Sequence, residues 1–576
     1  MEYTSREISI GSLRLGGNQP IRLQSMTNTN TMDTEATVAQ AVRMIEAGCE
    51  LVRITAPGPK EAAHLEVIKK ELKKRGFSVP LIADIHFNPT AAEIAARIVE
   101  KVRINPGNYI DRNAVTGINY TEAEYHDELE RTALRLRPLL DICREHGTAI
   151  RIGTNHGSLS RRIVNRYGDT PEGMVQSAFE FTRICHDQGF HNLVLSMKSS
   201  NVRVMVSAYR MLAEKLREEG LNYPLHLGVT EAGDGEDGRL KSIAGIGAML
   251  ARGIGDTIRV SLTEDPEAEL PVASSIVERF QQTNPDGTII RRIRPDLCIG
   301  SELPFKKEVS ETSGHLGGKN PPALLLESKG NYYQAEENGK LSVLPHAIIH
   351  ISDFQNDGNT LRMLHIGESL IETNPDDIIK MLGSDVTMAV MAEAGATGLR
   401  TLAGRMRDAG LKNPLILKSP ANIDNSENLL TENSLNPGNL LLDGIGDGLC
   451  LNADAVEIDQ VIRIGFGLLQ ATRMRMTKTE FIACPSCGRT LFNIQEALQK
   501  VKARTGHLKG LKIGVMGCIV NGPGEMADAD YGYVGAGNGK VTLYKSKEAV
   551  KRGIPEDEAV EALVELIKEG GDWKES

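Results

Sequence analysis

The fold class is decided by residues 51–107, which read LVRITAPGPKEAAHLEVIKKELKKRGFSVPLIADIHFNPTAAEIAARIVEKVRINPG. Three short apolar runs, LVRITAP, PLIADIH and KVRINPG, are separated by segments in which apolar residues recur at the spacing of a helix. Each run has the length of a strand. Strands that alternate with helices in this way are typical of a parallel sheet.

The same alternation continues on both sides of this stretch. The preceding run is IRLQSMT from Ile21, and the later runs are AIRIGTN from Ala149, NLVLSMK from Asn192, LHLGVTE from Leu225 and TIRVSLT from Thr257. Eight strands that alternate with helices are the pattern of a (β/α)8 barrel. We therefore predict a TIM barrel over residues 1–280. A doubly wound sheet is the structural alternative, but it does not require eight strands.

Four arginines stand between apolar neighbours inside predicted strands, namely Arg53, Arg103, Arg151 and Arg259, and Lys198 closes another strand. The carboxyl ends of barrel strands meet at one mouth, where barrel enzymes have their active sites. Cations that converge there need an anion, and the guanidinium fork matches phosphate oxygens. The alternative is that the arginines pair with internal carboxylates and brace the barrel, although few acids stand on the strands.

Other polar residues at the strand ends extend this candidate anion site. Asp84 and Glu231 stand at the ends of two strands, and Ser261 follows Arg259 by two positions. Asn155 lies in the loop GTNHGS after the fifth strand. The serine hydroxyl and the asparagine amide are therefore candidate contacts for the same ligand.

Residues 281–472 predict a second α/β domain. Its apolar runs are ALLLES from Ala323, AIIHIS from Ala347, DVTMAV from Asp385, PLILKS from Pro414 and NLLLDG from Asn439. An internal repeat relates GIGDTIRVSLT to GIGDGLCLNAD, in which Cys450 replaces Arg259 and Asn452 replaces Ser261. We expect an irregular, barrel-like fold that has lost the anion ligands and has a structural role.

Residues 473–576 contain three clustered cysteines in an expected α+β domain. ACPSCGRT includes Cys484 and Cys487, and GVMGCIVNGPGE includes Cys518 and Glu525. Three sites fit this pattern: a [4Fe–4S] cluster with Glu525 as the fourth ligand, a structural zinc site with His507 as the fourth ligand, and a redox dithiol. The dithiol lacks a thioredoxin-like context, and the Gly-Pro-Gly-Glu turn favours the cluster. The other five cysteines are expected to be small core residues.

Composition excludes several classes of partner. The formal net charge is −10 and no long basic stretch occurs, which argues against nucleic acid as the main partner. No apolar run reaches the roughly 18 residues of a membrane span, and the first residues lack the apolar core of a signal peptide. We therefore expect a cytoplasmic protein without a membrane partner.

The motifs IACPSCGR and MGCIVNGPGE resemble those of the 4-hydroxy-3-methylbut-2-enyl diphosphate synthase family of the methylerythritol phosphate route. The barrel strings QSMTNT, PLIADIHFN, LHLGVTEAG and GIGDTIRVSLT are similar to the same family, and the middle resembles the insert of its longer, three-domain form. The resemblance implies reductive ring opening and dehydration of 2-C-methyl-D-erythritol 2,4-cyclodiphosphate. Ferredoxin or flavodoxin would supply the electrons one at a time.

The resemblance also implies roles for individual residues. The ligands of a [4Fe–4S] cluster would be Cys484, Cys487, Cys518 and Glu525, and the glutamate is expected to be replaceable by substrate. The diphosphate would be bound by Arg53, Arg103, Arg151, Lys198 and Arg259, with Asp84, Asn155 and Ser261 nearby. Glu231 matches the acid–base carboxylate of the family.

Some alternatives remain open at this point. The two-domain form of the family completes its site within a dimer, whereas the insert is expected to let one chain complete its own site, so a homodimer is possible but not required. A rival function is a non-redox, phosphate-binding barrel transferase with a zinc-stapled tail. A third is a metal-stabilised binding module without catalysis. Neither rival explains a glutamate seven residues after the third cysteine.

Overall fold

The computed structural model describes residues 3–109, 120–284, 289–291, 307–344, 348–350, 363–384, 388–420, 423–490, 492–518, 524, 526–537 and 539–575. The chain divides into two compact units. The first comprises residues 1–242, 249–299 and 478–576, and the second comprises residues 243–248 and 300–477. Within the described residues, no helix is long and apolar enough to cross a membrane.

The first unit contains an eight-stranded parallel barrel. Its strands are Arg22–Met26, Leu51–Thr55, Leu81–Asp84, Lys101–Ile104, Ala149–Asn155, Leu193–Lys198, His226–Leu227 and Thr257–Ile258. The eighth strand pairs with both the first and the seventh, and a parallel bridge between Leu195 and Leu225 closes the ring. The predicted TIM barrel is confirmed, and all eight predicted runs contain a barrel strand.

Helices connect the barrel strands and cover the outside. They are Thr34–Glu46, Pro59–Lys74, Pro89–Ala96, Pro106–Tyr109, Glu122–His146, Arg161–Tyr167, Pro171–Asp187, Val202–Glu218, Gly235–Leu250 and Glu269–Phe280. The first helix shows why these segments form: Asp33 caps it by accepting a hydrogen bond from the Ala36 N–H, and Val38, Ala41 and Met44 form its buried face.

The amino-terminal end of the barrel is closed by an antiparallel hairpin of Ile8–Ile10 and Leu13–Leu15. Ile10 and Leu15 are fully buried against Leu51 and Ile82, which stand on barrel strands. A second small hairpin joins Gln281–Thr283 to Ile289–Arg291. Since apolar side chains fill the amino-terminal end of the barrel, its open mouth lies at the carboxyl ends of the strands.

The C-terminal part of the first unit is α+β, as expected. Its strands are Glu480–Ala483, Lys512–Met516, Tyr531–Gly537, Lys540–Lys545 and Glu548–Pro555, and its helices are Ile494–Thr505 and Ala559–Glu569. The first three strands are parallel and the last two are added antiparallel. The carboxyl ends of the first two strands therefore lie side by side.

The second unit has its own eight-stranded sheet. Six strands are parallel, namely Ile348–His350, Met363–Gly367, Ala389–Glu393, Leu415–Lys418, Gly448–Asn452 and Ala323–Ser328. Asn331–Ala335 and Leu341–Val343 extend the sheet antiparallel, and Thr312–Ser313 and Leu316–Gly317 form a separate hairpin. The helices are Glu368–Thr373, Pro375–Ser384, Ala396–Asp408, Ser426–Leu435, Pro437–Leu442 and Ile458–Ala471.

This second sheet is irregular, as expected, but one strand assignment was wrong. The run NLLLDG lies in the helix Pro437–Leu442, and the neighbouring strand is Gly448–Asn452. Pro437 occupies the first turn of the helix, where its missing N–H costs nothing. All six helical residues are buried, and a short run that is apolar on every side does not distinguish a strand from a buried helix.

Candidate active site

The mouth of the barrel opens into a cavity. All nine candidate residues of the barrel line it, namely Arg53, Asp84, Arg103, Arg151, Asn155, Lys198, Glu231, Arg259 and Ser261. Cys484, Cys487 and Cys518 line the same cavity. Glu525 lies outside the described residues. The fold therefore brings the barrel residues and the cysteines into one cavity, although the cysteines follow the barrel residues by more than 200 positions in the chain.

Two of the five barrel cations are neutralised by carboxylates. Arg103 Nη1 donates to Asp84 Oδ1 at 3.2 Å. Arg259 makes a two-pronged ion pair with Glu269, with Nε–Oε2 at 3.0 Å and Nη2–Oε1 at 2.9 Å. Glu269 begins a helix rather than ending a strand, so inspection of the strands missed it. The bracing role that competed with anion binding therefore applies to Arg103 and Arg259.

The other three cations, Arg53, Arg151 and Lys198, are buried and form no ion pair with any described residue. Burial lowers the pKa of Lys198 well below its usual value, and the charges of Arg53 and Arg151 lower it further. Burial also lowers the pKa of Arg53 to about 10. The Nε and Nη1 atoms of Arg151 are buried without a hydrogen-bond partner among the described residues. Such groups are costly unless an anion satisfies them.

Glu231 is held at the cavity by an unusual backbone. Its φ angle is 46°, in the left-handed region that residues with a side chain rarely adopt. The next residue, Ala232, forms a parallel bridge with Ala483, directly before Cys484. Thr263 Oγ1 lies 3.1 Å from the carbonyl oxygens of both Ala483 and Cys484. Two barrel loops therefore fix the end of the strand that precedes Cys484. Backbone strain such as that at Glu231 is characteristic of functional sites.

The loop that contains Asn155 also contacts Gly524, the residue before Glu525. Gly157 has a φ of +79°, and a Cβ atom there would lie 1.9 Å from the carbonyl oxygen of Gly524. Asp169 accepts a hydrogen bond from the Gly157 N–H at 2.9 Å and pairs with Lys547 at 2.9 Å. This contact tolerates only glycine at position 157, and it brings the residue before Glu525 against the barrel mouth.

The cysteines occupy the ends of adjacent strands. Cys484 follows the strand Glu480–Ala483, and Cys518 follows the strand Lys512–Met516 after one intervening residue. The Gly517 N–H donates to Cys484 Sγ at 3.3 Å. Burial raises the pKa of the Cys484 thiol, so its thiolate needs a nearby positive centre. Among the described residues, no three His, Cys, Asp or Glu side chains are grouped closely enough to hold a single metal ion.

The structure does not bring His507 to the cysteines. Its Nε2 atom bonds to the carbonyl oxygen of Lys574 at 2.8 Å, and its ring packs edge-on against Trp573. The alternative in which His507 is a fourth zinc ligand is therefore wrong, because the histidine packs against Trp573 and Lys574 instead of lining the cavity.

Among the residues that line the cavity, the titratable side chains His86 and Arg489 were not predicted as site residues. His86 is buried beside Arg103 and Asp84, and burial and the charge of Arg103 lower its pKa to about 3, so it is neutral. Arg489 stands two positions after Cys487 and donates to Asp84. The sequence did contain a signal for Arg489, because it follows the Cys-x-x-Cys-Gly string directly.

Comparison with known proteins gives the following matches. The family models described as the GcpE TIM-barrel domain and the GcpE protein C-terminal domain match residues 5–274 and 480–569. A protein of Parabacteroides distasonis is 47% identical over 99% of this chain and 99% of its own length. A protein of Porphyromonas gingivalis is 46% identical over 100% and 99%, and one of Akkermansia muciniphila is 45% identical over 99% and 97%. All three relatives are named 4-hydroxy-3-methylbut-2-en-1-yl diphosphate synthase (flavodoxin).

Proposed function

Since the chain belongs to the family of 4-hydroxy-3-methylbut-2-en-1-yl diphosphate synthases, we propose that it converts 2-C-methyl-D-erythritol 2,4-cyclodiphosphate to 4-hydroxy-3-methylbut-2-enyl diphosphate. The ring opens at a carbon–oxygen bond and a hydroxyl leaves as water, which consumes two electrons and one proton. The single observation that carries the proposal is a cavity in which unpaired barrel cations and three cysteines meet.

Charge balance supports an anionic substrate. The described residues that line the cavity include six cations, Arg489 among them, and two carboxylates, and Glu269 provides a third carboxylate against Arg259. The formal excess of three positive charges lies in a buried environment, where an uncompensated charge is costly. A diphosphate would offset that excess and bind Arg53, Arg151 and Lys198, which form no ion pair with the described residues. We propose that Asp84, Asn155 and Ser261 complete this diphosphate site.

The same cations would act during ring opening. The phosphate oxygen that is released from carbon becomes an exposed anion, and donors that are already in place stabilise developing charge without reorganisation. Glu231 is buried and its backbone is fixed at the cavity. We propose that its carboxyl group gives the proton to the departing hydroxyl, as a positioned carboxylic acid can.

We propose that Cys484, Cys487, Cys518 and Glu525 hold a [4Fe–4S] cluster. When bound, this cluster would supply the electrons one at a time, and flavodoxin, or ferredoxin in its place, would deliver them. The donor set fits, because three thiols from two adjacent strand ends line the cavity. Each thiolate of a four-iron cluster binds its own iron atom, so the sulfur atoms need not surround a single point. The Gly157–Gly524 contact supports Glu525 as the fourth ligand.

The proposal extends to the organisation of the chain. We propose a substrate-binding barrel over residues 1–280, a structural insert over residues 281–472 and a cluster domain over residues 473–576. The cavity is lined by the barrel and the cysteines of one chain, which supports a site completed without a partner. A cytoplasmic location fits the reduced thiols that the site needs.

Protein purified without oxygen tests the proposal. We expect about four irons and four sulfides per chain and a broad visible absorption that dithionite bleaches. With reduced flavodoxin, such protein should convert the cyclodiphosphate to the linear diphosphate. A colourless protein that contains one zinc and no iron would contradict the proposal and leave the phosphate-binding barrel transferase as the better function.

A further inference from the structure

Arg489 connects the cysteine loop to the barrel. It stands two residues after Cys487, its side chain is 7% exposed, and it lines the cavity. Its Nη2 atom donates to the third barrel strand, at 3.2 Å to the Asp84 carbonyl oxygen and 3.3 Å to Asp84 Oδ2. One guanidinium group therefore binds both the backbone and the side chain of the same residue.

Asp84 connects Arg489 to a cation of the barrel. Its Oδ1 atom accepts a hydrogen bond from Arg103 at 3.2 Å, and Arg103 also donates to Asn155 Oδ1 at 3.0 Å. The Asp84 carboxylate is thus shared between a guanidinium from the barrel and a guanidinium from the cysteine loop. Arg489 and Arg103 are therefore connected through one carboxylate.

The loop around Arg489 packs tightly at a second point. A Cβ atom on Gly488 would lie 2.6 Å from the carbonyl oxygen of Thr29, which belongs to the first barrel loop. Gly488 and Arg489 therefore both lie against the barrel mouth, directly after Cys487. The cysteine cannot change its distance from the diphosphate site without breaking these contacts.

We propose that Arg489 is a positioning residue that sets the distance between the Cys487 loop and the diphosphate site through Asp84. This inference rests on the proposed function. Its role differs from that of Arg53, Arg151 and Lys198, because Arg489 acts on protein groups and these three cations act on the anion. A lysine at this position presents one point charge instead of a planar fork, so it should replace the arginine only in part.

The test compares Arg489→Gln with Lys502→Gln. Lys502 also crosses from the C-terminal part to the barrel, where it pairs with Asp234. Each substitution removes one positive charge, and the carboxylate that loses this partner keeps another. Asp84 keeps Arg103, and Asp234 keeps Gln499. Lys502 does not line the cavity, so Lys502→Gln controls for the loss of one ion pair between barrel and C-terminal part.

Arg489→Gln should bind iron and sulfide as the wild type does. Its kcat should fall about 100-fold with KM changed less than about threefold, because a misplacement near 1 Å costs about this factor in rate. Arg489→Lys should lose about tenfold, and Lys502→Gln less than about threefold. Equal losses in Arg489→Gln and Lys502→Gln, or a rise in KM instead of a fall in kcat, would overturn the inference.

Hydrogen exchange provides a readout that does not depend on turnover. In Arg489→Gln, the amides of residues 484–490 should exchange faster than in the wild type, whereas in Lys502→Gln the change should be confined to the helix Ile494–Thr505. Unchanged exchange at residues 484–490 would refute the positioning role. If wild-type protein does not convert the cyclodiphosphate, the proposed function fails, and the exchange comparison still tests Arg489.

Discussion

Replacing Gly157 with alanine should reduce turnover by about two orders of magnitude. The added Cβ atom would lie 1.9 Å from the carbonyl oxygen of Gly524, whereas carbon and oxygen atoms in contact are normally about 3.3 Å apart. The two loops must therefore separate by roughly 1.4 Å. Because a misplacement of this size costs about 100-fold in rate, kcat should fall by about that factor.

A matched control separates this clash from backbone strain. At Gly157 the φ angle is +79°, so alanine also costs about 1–2 kcal/mol of left-handed strain. Gly189 has a similar φ of +70° with nothing within 4 Å of the added Cβ atom. Gly189→Ala should therefore show the same strain with activity within about threefold of the wild type.

The assay is steady-state turnover of the cyclodiphosphate per cluster, with iron content and thermal unfolding measured on the same preparations. We expect both variants to unfold at similarly lowered temperatures, with only Gly157→Ala losing turnover. If Gly157→Ala is as active as Gly189→Ala, the contact between the Asn155 loop and Gly524 does not position a catalytic group.

Further predictions concern proton transfer, charge and the metal centre. Glu231→Gln should lower kcat by about 10²–10⁴-fold, whereas inorganic diphosphate should still bind. Kinetics measures the first effect and calorimetry the second, and an unchanged kcat would exclude Glu231 as the proton donor. The lowered pKa of Lys198 means that diphosphate binding should take up a proton and weaken as the pH rises, because the anion favours the charged lysine. Titrations in buffers of different ionisation enthalpy should detect this uptake in the wild type and not in Lys198→Met; equal uptake in both would place the proton elsewhere. His507→Ala should keep its full iron content, since His507 bonds to Lys574, and loss of iron in this variant would show that His507 is a metal ligand.

Local sequence patterns were sufficient for most of the first unit. The eight barrel strands follow from short apolar runs, and a cation placed in such a run is carried to the mouth by the direction of the strand. Arg53, Arg151 and Lys198 could therefore be assigned to one site although they are far apart in the chain. The run NLLLDG shows the limit of this reasoning, since its local pattern suits a strand and a buried helix equally.

Pairings between distant segments could not be predicted from the sequence. Nothing local connects Arg259 to Glu269 as an ion pair, because the helix phase and the strand direction must both be known. The bond between Arg489 and Asp84 joins residues 405 positions apart and depends on how the C-terminal part docks on the barrel. The exclusion of His507 depends on packing within the C-terminal part, because only the folded chain shows that it packs against Trp573.

By itself, the sequence determined the number and order of the barrel strands, the cations that face the mouth, and the residue types offered as cluster ligands. These depend on local periodicity and on the direction of each strand, which neighbouring residues encode. Only the tertiary structure decided which cations are neutralised, which remain for an anion, and which loops hold the cysteines against the barrel. Those outcomes are set by close packing between segments that are distant in the chain, where a shift of about 1 Å changes the partner or the rate.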